Sequence, residues 1–350
     1  MTHWKTVAFG AVAHAALIVP AIAHADAIAD FYKGKQVTWI LSAGVGGGFH
    51  TYAQVFAPYL ARHIPGSPNI VIQNMTGAGG IRAMGYLHSV APKDGTTIGL
   101  VHSSVPFSPL FGVKGATFDP RQMNWIGSMN TEAVLCVAWH NAPVKTWQDL
   151  IDKEFIVGST GAGNQMATIP AMLNKLYGTK IKVIAGYKNG TDIYLAMERG
   201  EVMGRCSGGQ VSSINSFRSN WFSENKVNVP ILVTLERSPL FPNTPSVVEF
   251  TKDERTKQLL RLMFAPQYMG RPIVMPPGVP EERVAAMRKA FHDAMNDAEF
   301  KADAAGRQLE LDEVDGVKLH QIIEDTYKLS DDIVKAAMEA MNLSGAASEN

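Results

Sequence analysis

Two short runs of this chain place glycine and small hydroxyl residues where a strand-like pattern gives way to a helical one. The first is Gly44-Val45-Gly46-Gly47-Gly48-Phe49-His50, which follows the apolar stretch 37–41. The second is Ser159-Thr160-Gly161-Ala162-Gly163, which follows 155–158 and adds two hydroxyl donors. A backbone without side chains lets a ligand come close, and the first free N–H groups of a helix carry the positive end of its dipole. The chemistry this suits is the grip of an anion. Ser159 and Thr160 also suit helix capping, and the cap and the ligand position can coincide.

Other residues fall at comparable points. Ser103 and Ser207 close two further strand-like runs, and Tyr187 follows another. Phe49, Phe107, Phe111 and Tyr187 are candidates for apolar walls around a ligand's body, against the plainer reading of any one aromatic as core. Lys188 is read as a solvated loop lysine. Arg205 lies inside an apolar strand-like run, where a guanidinium needs an anion, so it is a candidate for a direct ion pair. His50 can donate a hydrogen bond and carries no negative charge, which favours a ligand without an ammonium group, against the plainer reading of a helix-surface histidine pointing away.

These positions need a scaffold of alternating elements. Residues 37–41, 69–73 and 97–101 read as strands separated by helical stretches at 49–63 and 81–90, the pattern of a parallel sheet. Runs 134–139, 155–158, 181–185 and 202–206 repeat the design, and 229–235 carries the chain back. In such sheets ligands bind at the carboxyl ends of strands. A helix is expected at 281–296, and 316–341 reads as one long amphipathic segment. The expected organisation is a first lobe of 26–128 plus 233–343, a second lobe of 129–232, and a disordered tail at 344–350.

A length of 350 residues suits two domains, and Lys plus Arg equals Asp plus Glu at 32 each, so no global field favours nucleic acid. His3 and Lys5 precede an apolar run at 7–22, and Ala23-His24-Ala25 supplies small residues at the positions a signal peptidase reads. Cleavage before Asp26 and export to the periplasm are expected. Only Cys136 and Cys206 are present, which excludes a Cys-rich metal site. A disulfide and two buried thiols both fit the spacing. No GxxxxGK[ST], HExxH, CxxC or GxSxG occurs, and the first loop lacks the third glycine of a dinucleotide fingerprint. The reading is therefore not an enzyme, with no cofactor and no metal; an exported α/β enzyme and a ligand-sensing lobe for a signalling partner are the alternatives.

Five motifs in register, GGGFHTYAQ, QNMTGAGG, APKDGTTIG, VKTWQDLI before FIVGSTGAG, and GYKNGTDIYLAMERGEV, resemble the substrate-binding proteins of tripartite tricarboxylate transporters, the Bug family. The resemblance spans nearly the whole chain after the signal. It implies a periplasmic binding protein of the second structural type, with two α/β lobes, two crossover strands and a small organic carboxylate between them. It also implies a membrane permease with one large and one small subunit as partner to a monomeric carrier. Gly46, Gly47, Gly48 and Phe49 match the family's first carboxylate loop, and Ser159, Thr160, Gly161, Ala162 and Gly163 its second. Family members commonly carry Asp where this chain has His50 and Arg where it has Gln54.

Overall fold

The computed structural model describes residues 21–341 apart from 47, 162–164, 188–189, 209–210, 212–213 and 215–217, with side chains from 27 onward. Residues 1–20 of the expected signal, Gly47, Ala162, Gly163, Lys188 and the tail at 344–350 lie outside the described residues. Helix α1 (Ala21–Tyr32) is continuous across the expected cleavage point. No helix among the described residues is long and apolar enough to cross a membrane.

The first sheet is built from β1 (Gln36–Leu41), β2 (Asn69–Asn74), β3 (Thr97–Leu100) and β4 (Asn124–Ser128), joined later by β10 (Pro272–Met275) and β11 (Val314–Asp315), in the order β11-β4-β10-β3-β1-β2. β1 lies parallel between β2 and β3. Parallel strands are covered on both faces, which is why β1 is buried at Val37 and again at Trp39, Ile40 and Leu41. Helices α2 (Gly48–His63) and α3 (Ile81–Ser89) cover opposite faces. Along α2 the buried Tyr52, Ala53, Phe56, Ala57 and Leu60 form one stripe at helical spacing.

The second sheet runs β7-β6-β8-β5-β9, from β5 (Val134–Trp139), β6 (Phe155–Ser159), β7 (Ile181–Ala185), β8 (Gly204–Gly208) and β9 (Val227–Leu232). Helix α4 (Trp147–Asp152) starts at a reciprocal cap between Thr146 and Asp149. Helices α5 (Gln165–Tyr177) and α6 (Gly190–Glu198) follow β6 and β7. The antiparallel register of β5 and β8 sets Cys136 opposite Cys206, and the two form a disulfide. Closing a loop of 70 residues contributes about 2–4 kcal/mol.

The chain crosses between the sheets twice, at 129–133 and after β9. Helices α8 (Glu281–Met295), α9 (Ala298–Gly306) and α10 (Gly316–Tyr327) pack on the first sheet. Helices α7 (Glu254–Phe264) and α11 (Asp331–Ala340) do not. Leu259, Leu260 and Phe264 pack with Ile333, Val334 and Ala337 in the core that also holds Met172 and Leu173 of α5. The lobes are therefore tied together by the C-terminal helix as well as by the crossovers. The single amphipathic segment read at 316–341 is two helices, broken at Lys328–Ser330, where Ser330 begins a new helix with Asp331 and Asp332 in its first turn.

Candidate functional site

β1 delivers the first glycine loop. Ser42 receives a hydrogen bond on its Oγ from the backbone N–H of His102, which fastens the exit of β1 to that of β3. Asn74, the last residue of β2, donates from Nδ2 to the carbonyl of Ala43 at 2.6 Å. The same amide lies 3.3 Å from Nδ1 of His50, which is only 8 % exposed. His50 thus faces inward and braces the loop through Asn74. Gly46 holds a left-handed φ of 84°, a conformation that suits glycine, and Gly48 opens α2. Ser103 follows β3 beside His102.

In the second lobe Ser159 is fully buried at the end of β6. Its Oγ donates to the carbonyl of Gly161 at 2.8 Å, and the Gly161 N–H lies 3.2 Å from the same oxygen. The carbonyl of Ser159 also receives the N–H groups of Gly186 and Tyr187, so the ends of β6 and β7 are held together. Thr160 is half-buried in that turn. Ser207 is buried near the end of β8, and the N–H of Gly208 donates to Oε1 of Gln165, the first residue of α5, at 3.2 Å. The strand ends of this lobe therefore converge on the start of α5.

Arg205 lies near the middle of β8. It is 7 % exposed, packs its guanidinium 5.2 Å over the ring of Tyr194, and abuts Gly190, where an added Cβ would stand 2.5 Å from Nη1. It braces the start of α6, and burial lowers its pKa. Phe107 is 1 % exposed and belongs to the core under α3, not to a ligand wall. Phe111 is partly buried and packs against the cores of both lobes, and Tyr187 is partly buried beside α6. Trp39 is core, as its strand position predicts.

What links the first loop to the second lobe is a pair that sequence reasoning does not single out. Arg271 precedes β10, and its Nη2 stands 3.4 Å from where a Gly48 Cβ would be. Its guanidinium lies 4.3 Å from the ring centre of Phe49 and 4.8 Å from that of Tyr52. Nη1 donates to Oε1 of Glu132 at 2.6 Å and to the carbonyl of Gly270 at 2.6 Å. The other carboxylate oxygen of Glu132 is 3.7 Å from where a Gly208 Cβ would be. A continuous path thus runs from the entrance of α2 through Arg271 and Glu132 to the β8 end and Gln165 of α5. The only local hint in the sequence is an arginine between Gly270 and Pro272 ahead of the short apolar run IVM. Its 223-residue separation from Gly48 hides the contact.

Glu132 sits on the first crossover, which is pinned at several points. Its own N–H donates to the carbonyl of Gln267, Gly270 N–H donates to Asn130, and Thr131 bonds Asp312. Position 270 admits only glycine, since a Cβ there would meet Asn130 Oδ1 at 2.5 Å and its backbone oxygen at 2.8 Å. Burial and the neighbouring Arg271 hold the pKa of His102 below the ordinary imidazole value, so this ring faces Phe49 uncharged at neutral pH. Burial, reinforced by Glu132, raises that of Glu310.

A cavity of about 470 Å³ opens beside Glu132 between the crossovers, lined by Thr131, Val211, Leu235, Tyr268 and Glu310 among others. Its size suits a small metabolite, but its charged lining, Glu132, Glu236, Glu310 and Asp312 against the cation Arg237, is mostly acidic. None of the glycine-loop residues lines it among the described residues. Among the described residues no cluster of three or more His, Cys, Asp or Glu is placed to hold a metal.

Two α/β sheets, crossed twice by the chain and meeting where strand ends open into helix starts, define a bilobal solute-binding protein. The family model described as tripartite tricarboxylate transporter family receptor matches residues 60–338, and the chain belongs to that family. The first glycine loop lies ahead of the matched span. A TctC solute-binding protein from Polaromonas, solved without ligand, superposes with a TM-score of 0.69 at 16 % identity, covering 88 % of this chain and 99 % of that one. MatC from Rhodopseudomonas palustris with bound malate gives 0.55 at 20 % identity over 86 % and 99 %, and a second R. palustris protein with adipate gives 0.59 at 16 % over 88 % and 97 %. At these identities the likeness establishes the fold, that of type II periplasmic binding proteins. No curated protein sequence matches the chain. The family and its structural neighbours are transport binding proteins, not enzymes.

Proposed function

We propose that this protein captures a small organic carboxylate, a di- or tricarboxylate or an aromatic acid, between its lobes and hands it to a tripartite permease with a large and a small membrane subunit. It does so as a monomer in the periplasm after loss of its N-terminal signal. The observation that supports this reading is the path from Gly48 through Arg271 and Glu132 to Gly208, which links the start of α2 in one lobe to the end of β8 in the other. The malate and adipate bound by similar proteins support the ligand class.

Gly46, Gly47, Gly48, Phe49 and the backbone of Ser159, Thr160, Gly161, Ala162 and Gly163 supply the donors, with the two hydroxyls. Hydrogen bonds to a charged group contribute about 1.5–3 kcal/mol each, and three or four of them, less the ordering cost of closure, give dissociation constants on the order of micromolar. With His50 in place of a carboxylate behind the first loop, nothing there attracts an ammonium group. A thermal-shift series with succinate, malate, adipate, citrate, nicotinate and aspartate tests the proposal. A ligand at a hundred times its dissociation constant adds about 2.7 kcal/mol, and aspartate is expected to stabilise less than succinate. Stabilisation by none of the acids, or turnover of one of them, refutes the carrier reading.

A further inference from the structure

Arg271 is only partly used. Its side chain is 13 % exposed, and both protons of Nη1 are taken by Glu132 and the Gly270 carbonyl. Among the described residues Nε is buried with no acceptor, and Nη2 lies beside the start of α2. A guanidinium offers five donors in a planar fork that matches a carboxylate. Here the guanidinium lies over the rings of Phe49 and Tyr52, at the point where the N–H groups of α2 begin. Everything a carboxylate needs stands there, yet the carboxylate on Arg271 comes from the protein itself.

Glu132 belongs to neither lobe's sheet. It rides on the crossover, 25 % exposed, with one oxygen on Arg271 and the other toward Gly208 of the second lobe. With both in place the seat has no net charge to attract an anion, and a second carboxylate beside Glu132 would be repelled. Resting on the carrier reading, we infer that Glu132 is a resident stand-in: the ligand's carboxylate takes Arg271 from it, and the loss of that one side-chain tie across the crossover favours closure of the lobes. Ligand is thereby sensed at the hinge by exchange of one anion for another. The device also sets specificity, since only a group able to outcompete a tethered carboxylate is retained, and neutral or weakly accepting compounds are not.

The test follows the Nε–H resonance of Arg271, assigned by its loss in Arg271→Lys, in a titration of the mature chain with succinate. Succinate is expected to shift that resonance. Glu132→Gln, which keeps the shape and removes the charge, is expected to bind succinate at least tenfold more tightly by calorimetry. Arg271→Gln is expected to bind at least thirtyfold more weakly, with Glu132→Gln giving no gain in that background, a non-additivity that independent sites would not show. A gain that persists without Arg271, weaker or unchanged binding in Glu132→Gln, or a resonance that succinate moves in neither protein overturns the exchange. Stabilisation by other acids with that resonance unmoved overturns the exchange alone; stabilisation by no acid overturns the carrier reading with it.

Discussion

Gly48→Val is expected to weaken binding of the carboxylate ligand at least a hundredfold while leaving the fold intact. Gly48 opens α2 with an ordinary backbone conformation, so a side chain adds no left-handed strain. A Cβ there stands 3.4 Å from Nη2 of Arg271, and the two γ-methyls of valine reach into the space between the guanidinium and the helix entrance. The free N–H groups of the first turn remain, but an oxygen can no longer sit among them. A hundredfold loss is about 2.7 kcal/mol, roughly the contribution of one or two charge-assisted hydrogen bonds. Titration calorimetry and a urea curve on the same sample separate the effects: affinity falls, the unfolding midpoint does not. Retained affinity would remove the first loop from the site.

Phe56→Ala is expected to lower stability by about 3–5 kcal/mol, a large share of the total for a protein of ordinary stability. Phe56 is fully buried in the middle of α2, with its ring 4.8 Å from that of Phe300, 5.7 Å from Phe291 and 6.4 Å from Trp39. It is the peg that joins β1, α2, α8 and α9. Because α2 carries the helix entrance at one end and this peg in its middle, the same substitution should also weaken ligand binding, through position and not through contact. Chemical denaturation gives the first number; a loss below about 1 kcal/mol would show that the aromatic cluster can collapse around the gap.

The parts legible from sequence are those written in local pattern. The strand, glycine loop and helix at 36–63 and again at 155–177 follow from β-rich runs that change period at side-chain-poor turns. β5 and β7 begin and end at their expected residues, whereas β8 starts two residues after its apolar run does, at Gly204. β10 escapes the sequence pattern, because a four-residue strand opening on Pro272 gives too short an alternation to read; it forms by lying antiparallel between β3 and β4. The break between α10 and α11 has a signal in Ser330-Asp331-Asp332, and continuity of the apolar stripe masks it.

The site divides along the same line. Gly46, Gly48, Ser159 and Thr160 stand out because their residue types are unusual where they occur. Arg271 and Glu132 do not, since their meaning comes from register: Met129 N–H bonds the Arg271 carbonyl, Arg271 N–H bonds Ser128, and only that pairing sets the two side chains face to face. The disulfide is undecidable from sequence for a related reason. Spacing says nothing about two cysteines 70 residues apart, and the β5–β8 register says everything.

Joint capture by both lobes can be read as a distance. Spin labels on Lys33→Cys and Lys182→Cys, exposed positions on the first and second lobes, report the separation by double electron–electron resonance. A saturating acid that stabilises the protein is predicted to shorten that distance and narrow its distribution, and Gly48→Val to abolish the change. An acid that binds with full affinity and leaves the distance as it was would mean that one lobe holds the ligand alone, and would contradict joint capture.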